Sequence, residues 1–383
     1  MRNIRRYLTV LTKIALLLLC TSSMGSVRVP AGATIIMGQS GVYSGPLGAF
    51  AQDNINVINT YFELINARGG VHGRKLKLIA LDDGFDPKRT VENVRRLIEK
   101  EKVFALFNVI GTANNAAIYP LLAQHGIALV GPYTGAAALR DLSRFRHLFF
   151  TRASYADETD KMVEHLVATG YREIAIVYQD DPFGQAGLHA ATEALAKRKL
   201  KPAAIGRFEI AKLEQTATAA AQIVGAKAPA VIIASSGKGT TTFVREVLKR
   251  GHRPSFFCLS VTNPRQLWAD LDADARGIIV AQTVPSPWRS SLPLVREYQD
   301  VLARLNSREI SYGSMEGFVA ARVVVEALRR AGPDLTRERY FAALENMRNV
   351  DLGGFEVNYG PNSHVGSTYV DLSIIGRDGR FVR

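Results

Sequence analysis

The chain has 383 residues, 47% of them hydrophobic and 22% charged, which is too long for one compact core and suits two lobes. Its formal net charge of +13 is spread along the sequence, with no arginine-rich run and no aromatic RNA-binding pattern, so nucleic acid is not expected as a partner. Two cysteines, Cys20 and Cys258, exclude a disulfide-stapled scaffold.

Arg2, Arg5, Arg6 and Lys13 precede an apolar run over 14–19, and small residues follow. That pattern predicts a secretory signal peptide over residues 1–25, with its end as late as 33; cleavage after Gly25 and after Ala33 both fit the small-x-small rule. Leu19 stands before Cys20 where a lipobox needs a small residue, so no lipid anchor is expected. Cleavage after Gly25 lowers the formal charge to about +9 and leaves Cys258 as the only thiol, so no intramolecular disulfide can form. The residual basic charge serves solubility or draws in anions.

The organising stretch is 34–73. Ile35, Ile36 and Met37 predict a buried strand, and a loop holding Gly38, Gly41, Gly45, Pro46 and Gly48 follows. Ala51, Ile55, Ile58, Phe62 and Ile65 then fall at steps of four, three, four and three, which predicts an amphipathic helix. Unpaired N–H groups at such a helix start, together with the helix dipole, predict an anion-binding corner. The GxGxxG dinucleotide fingerprint is absent, so a carboxylate is expected rather than a pyrophosphate; a plain helix-capping turn is the alternative.

A strand over 76–81 ends in Asp82 and Asp83, and a helix over 87–100 opens on proline. A strand over 103–109, a helix to His125 and a strand over 127–130 follow, the last ending in Gly131-Pro-Tyr-Thr-Gly135. This alternation implies a parallel sheet covered on both faces, with the loops after the strands lined up on one edge. Ser44, Phe50, Thr112, Tyr133 and Thr134 should converge there. Strand 147–152 leads to a helix starting near Ser154, and a second alternating series has strands over 174–178, 203–208, 230–234 and 256–259. An apolar segment over 277–283 gives way to two prolines, helices follow over 293–305, 314–331 and 336–346, and a hairpin turning at Asp378-Gly379 ends the chain.

The successive motifs "SGPLG", "INARGGVHGRKLKL" and "DDGFDPKRTVENVRRLI" resemble the type I periplasmic binding proteins of the leucine/isoleucine/valine-binding family, the extracellular receptors of ABC importers. The resemblance implies two doubly wound α/β parallel-sheet lobes joined by three crossings, with lobe one over 34–149 plus 283–348 and lobe two over 150–282 plus 349–383. It places Thr112 where a hydroxyl grips the ligand carboxylate, Tyr133, Thr134 and Gly135 in the loop that adds backbone and hydroxyl bonds, and Phe50 where a ring covers the ligand. A helix N-cap is the alternative for each threonine. In lobe two, Tyr155 and Phe183 are expected at the ligand; Phe183 stands where "DPFG" replaces the family's tyrosine. Lys238, in "SSGKGTTT", contacts a ligand carboxylate or is a solvated surface lysine. Amino acid binders of the family offer an acid from the stretch 259–264, which here reads LSVTNP. Asp157, Glu158, Asp181 or Glu316 could substitute; otherwise the ligand lacks an amine.

Other chemistries find little support. No two of the seven histidines lie within five residues, which disfavours a metal site. "SSGKGTTT" has Gly239 where a phosphate loop needs Ser or Thr, and no GxSxG elbow exists. The pairs Asp82-Asp83 and Asp180-Asp181 are adjacent, so their side chains point opposite ways on an extended chain. The expectation is a monomeric, non-enzymatic, cofactor-free periplasmic solute-binding protein. It would capture a small organic carboxylate, an amino acid or amino-acid-like compound, and deliver it to the membrane permease of an ABC importer. The alternatives are a soluble sensory protein of the same fold, and a binder of an amine-free ligand such as an aromatic acid or amide.

Overall fold

The computed structural model describes residues 27–44, 48–305, 310–377 and 379–382. The leader expected over 1–25, Gly45 and Pro46 of the first glycine loop, and Asp378 of the last turn lie outside the described residues. Two helix-covered β-sheets form two lobes of the expected α/β class.

The first sheet has the order β2-β1-β3-β4-β5, all parallel, from β1 (Ile35–Gly41), β2 (Leu76–Asp82), β3 (Ala105–Phe107), β4 (Leu129–Val130) and β5 (Leu148–Phe149). β1 runs on through Gly38 to Gly41 instead of breaking after Met37. Packing explains this: a Cβ on Gly38 would lie 2.9 Å from Leu106 Cδ2 on β3. The glycine marks close approach to a neighbour, not a turn. Helix α1 (Gly48–Ala67) buries Ile58, Tyr61, Phe62 and Ile65 on one face of this sheet, beside α11 (Tyr312–Ala331), with Tyr61 edge-on to Phe318 at 5.1 Å. On the other face lie α2 (Pro87–Glu99) and α3 (Thr112–His125), through Val94, Leu97, Ile118 and Leu122.

The second sheet has the order β14-β13-β10-β9-β8-β6-β7. Its parallel part is β6 (Ile174–Gln179), β7 (Ile205–Phe208), β8 (Ala230–Ala234), β9 (Ser255–Cys258) and β10 (Ile279–Gln282). The C-terminal hairpin of β13 (Asp371–Ile375) and β14 (Phe381–Val382) adds to β10 antiparallel. Helices α5 (Tyr155–Ala168) and α6 (Pro182–Ala196) cover one face, and α7 (Thr216–Gly225), α8 (Gly237–Lys249) and α9 (Pro264–Leu271) the other. Three helices share one start signal: Asp86-Pro87, Asp181-Pro182 and Asn263-Pro264 each place a capping side-chain oxygen before a proline, and that oxygen accepts backbone N–H bonds from the first turn. α9 is absent from the elements expected above, although its Asn-Pro start is in the sequence.

The chain passes from the first sheet to the second after β5, back after β10, and over again before β13. The first and third passages are stitched by backbone: Phe150 N–H donates to His364 C=O and Gly366 N–H to Phe150 C=O, both at 2.8 Å. At this seam Arg152, 1% exposed, bridges the lobes. Its guanidinium donates to Glu158 Oε1 on α5 at 3.2 Å and lies 3.4 Å from Glu316 Oε1 on α11. Ser260 donates to Glu158 through its N–H and its hydroxyl, each at 2.8 Å, and Thr283 donates to Glu316 at 3.3 Å. Burial pushes both glutamates above the usual carboxylate range while Arg152 pulls them back, and the two carboxylates keep the guanidinium protonated against its own desolvation.

Arg152→Met should strand two buried carboxylates and cost about 3–5 kcal/mol in chemical denaturation, whereas a loss below about 1 kcal/mol would contradict the bridge. The folded state of that variant favours protonated glutamates, so the deficit is largest above their raised folded values and shrinks as pH falls toward the unfolded value of 4.5.

Candidate ligand-binding cleft

The loops that follow the parallel strands of the two sheets face each other across one narrow cleft. Val42, Phe85, Ile110, Gly111, Thr112 and Tyr133 line it from the first lobe, and Tyr155, Phe183, Ser236 and Val261 from the second. None of them is a carboxylate or a cation. The volume is about 60 Å³, below the several hundred Å³ usual for a small-molecule pocket, so the cleft is narrow as it stands.

One corner is polar and holds a helix start. α3 starts at Thr112 with Gly111 as its N-cap, and no side chain caps its first-turn N–H groups. Gly111 takes φ +105°, and a Cβ there would lie 2.4 Å from Asn114 Oδ1, so the turn needs glycine. Thr112 Oγ1 and Thr134 Oγ1 are 2.7 Å apart, and Thr134 Oγ1 also accepts the Ala136 N–H at 3.2 Å. A hydroxyl that accepts donates more strongly, which favours Thr134 as donor and frees the Thr112 proton for an acceptor in the cleft. Open amides, the helix dipole and this hydroxyl together suit a carboxylate.

The second lobe's side of the cleft is aromatic. Tyr155 and Phe183 meet edge to face at 5.4 Å between ring centroids. Tyr155 is seated by its N–H, which donates to Gly135 C=O at 2.7 Å. Arg152 lies beneath both phenols, 4.8 Å from the Tyr133 centroid and 5.9 Å from that of Tyr155. Burial raises both phenols above their ordinary value, so they stay neutral.

Of the residues singled out in the sequence, the structure gathers Thr112, Tyr133, Tyr155 and Phe183 at the cleft wall, with Thr134 and Gly135 directly behind them. Phe50 lies in the first turn of α1, and its side chain is outside the described residues. Ser44 Oγ donates to Asp82 Oδ2 at 2.7 Å. Burial pushes the Asp82 carboxyl up, but hydrogen bonds from the Ser44 hydroxyl and from the N–H groups of Tyr43, Gly84 and Ser44 outweigh it and bring it down to about 2. Asp157 forms a capping box with Ser154, and the exposed Lys238 pairs with Asp270. Glu158 and Glu316 are held by Arg152, and Asp181 caps α6. Among the described residues no group of histidines, cysteines and carboxylates could hold a metal ion.

Val42, Phe85, Ile110, Ser236 and Val261 were missed. Each follows a strand's carboxyl end in a parallel sheet, a signal available from the alternation alone. Within LSVTNP, Ser260 serves Glu158, and Val261 packs across the cleft onto Val42, Ile110 and Tyr133.

Residues 34–379 match the sequence model of a family described as periplasmic binding protein. The solved structure of a possible leucine/isoleucine/valine-binding protein from Rhodopirellula baltica SH 1 is similar with a TM-score of 0.85 and 30% identity, over 93% of this chain and 98% of that one. A protein named Leu/Ile/Val-binding protein homolog 7, from Brucella abortus, is 22% identical over 82% of each chain. One named amino acid binding protein, from Pseudomonas aeruginosa, is 27% identical over 47% of this chain, and the match spans only 48% of that relative.

A Cβ on Gly135 would meet Tyr155 Cδ1 at 2.4 Å and Tyr155 N at 2.7 Å. Gly135→Ala should therefore displace Tyr155 and destabilise the fold by about 1–3 kcal/mol; an unchanged thermal midpoint would contradict the close seating.

Proposed function

The chain belongs to the periplasmic binding protein family, and we propose that within it this protein captures a small organic carboxylate that carries no amino group. One observation carries the reading: among the described residues, those lining the cleft beside the uncapped start of α3 at Thr112 include no acid. A buried ammonium without a countercharge is costly. Every acid considered for that role is engaged elsewhere, Glu158 and Glu316 by Arg152, and Asp157 and Asp181 as helix caps. Val261 occupies the stretch from which the family resemblance expected an acid.

In this reading the carboxylate takes the first-turn amides of α3 and the Thr112 hydroxyl, with Thr134 aligning that hydroxyl from behind. The tail lies among Tyr133, Tyr155 and Phe183. Lobe one comprises residues 34–149 plus 283–348 and lobe two residues 150–282 plus 349–383. Ligand contacts from both lobes stabilise closure, and the closed form signals occupancy to an ABC permease in the periplasm.

A thermal-melt screen of the purified mature protein tests this. A ligand at a hundred times its dissociation constant stabilises by about 2.7 kcal/mol, which moves the midpoint by a few degrees. Phenylacetate, benzoate or isovalerate should shift the melt while leucine, isoleucine and valine do not; the reverse pattern would overturn the reading. Thr112→Val should weaken the active acid about five- to a hundredfold, the cost of one unmade buried hydrogen bond, and should also lower the unliganded midpoint slightly because the buried Thr134 hydroxyl loses its acceptor; unchanged affinity in the folded variant would remove Thr112 from the site.

A further inference from the structure

Phe85 lies in the loop between β2 and α2 and adopts φ +68°, a conformation that is a genuine outlier for a bulky side chain. The loop is built to hold it there. Phe85 N–H donates to Asp83 Oδ1 at 2.9 Å, and Asp83, fully buried, receives Ser40 Oγ at 2.7 Å and Thr90 Oγ1 at 3.0 Å on its other oxygen. Asp86 N–H donates to Asp83 C=O at 3.0 Å and closes the turn. The ring reaches into the cleft against Gly111, where a Cβ would lie 2.9 Å from Phe85 Cε2. Gly111 is also the N-cap of α3, so the ring edge stands one residue from Thr112. Backbone strain of this kind persists only where the surroundings over-determine it, and it concentrates at ligand clamps. Phe85 is only partly buried against Val42, Ile110 and Tyr133, so part of its ring remains open to the cleft.

We infer that Phe85 is a specificity-determining residue, whose ring fills the wall beside the carboxylate corner and limits the bulk of the tail the cleft accepts. This rests on the reading that α3 takes a ligand's carboxylate and the cleft its tail. Glycine takes φ +68° without strain, so Phe85→Gly should fold normally while opening the wall, and Phe85→Leu should open it partly.

The test is isothermal titration of the mature protein and both variants with two graded series. One is amine-free, phenylacetate, 3-phenylpropanoate and 4-phenylbutanoate; the other is amino acids, alanine, norvaline, leucine and phenylalanine. In whichever series the wild type binds, Phe85→Gly should move the affinity ratio of longest to shortest ligand about tenfold toward the longest, the scale of one methylene in an apolar pocket, with Phe85→Leu between. An unchanged ratio in the folded Phe85→Gly variant would overturn the assignment. If only the amino acids bind the wild type, the amine-free reading fails while the ratio still decides the role of Phe85. Binding of neither series overturns both.

Discussion

The cleft depends on one guanidinium shared by two buried glutamates. Arg152 joins Glu158 of the second lobe to Glu316 of the first at the point where the chain crosses between them. The crossing itself is gripped by Arg140, which donates to the Arg152 carbonyl at 3.1 Å and to the Ala153 carbonyl at 3.0 Å while stacking 4.3 Å from the Phe150 centroid. Such a cluster is expensive to bury and is weak evidence for stability as such. Its effect is positional: it seats Tyr133 and Tyr155 from below and fixes the first turn of α5 against the loop after β9. By holding both glutamates it also keeps them out of the cleft, whose described lining residues carry no charge. The reading of an amine-free ligand follows from how those acids are spent.

The lobes meet near the cleft at other points too. Val261 packs on a small apolar cluster of the first lobe, and Arg265 on α9 lies 3.3 Å from Asp53 on α1. Both partners of that pair are substantially solvated, so it contributes little and yields readily when the lobes part. Burial at the crossings with weak contacts at the edge is the arrangement a hinge needs.

The two-lobed α/β plan was legible because alternation of strand, loop and helix survives any error at the ends of elements. The proline start of α2 at Pro87, the strand over 230–234 and the helix ending at His125 lie where periodicity and the proline put them. What sequence could not show is which partner a polar side chain takes. The Ser44 hydroxyl, expected at a ligand, is given to Asp82, which gathers donors from its own loop and the facing one. Arg152 ends an apolar run that reads as strand, and its two acids stand six and 164 positions further on. Phe85 sits in the short connection between the strand over 76–81 and the helix over 87–100, where nothing in the sequence marks it; its positive φ comes from Asp83 and from the absence of a side chain at Gly111, 26 positions away. β3 and β5 are shorter than their apolar runs, in part because Asn108 turns to φ +50° and ends the ladder.

The most direct measurement is the identity of the molecule that this protein carries when the full 383-residue chain is expressed, purified natively and then denatured, with the released small molecules resolved by mass spectrometry. The account predicts a carboxylic acid with an apolar tail and no amine, in near-stoichiometric amount and depleted from Thr112→Val. An α-amino acid released in the same amount would contradict it, and would mean that one of the engaged acids leaves its partner when the ligand enters.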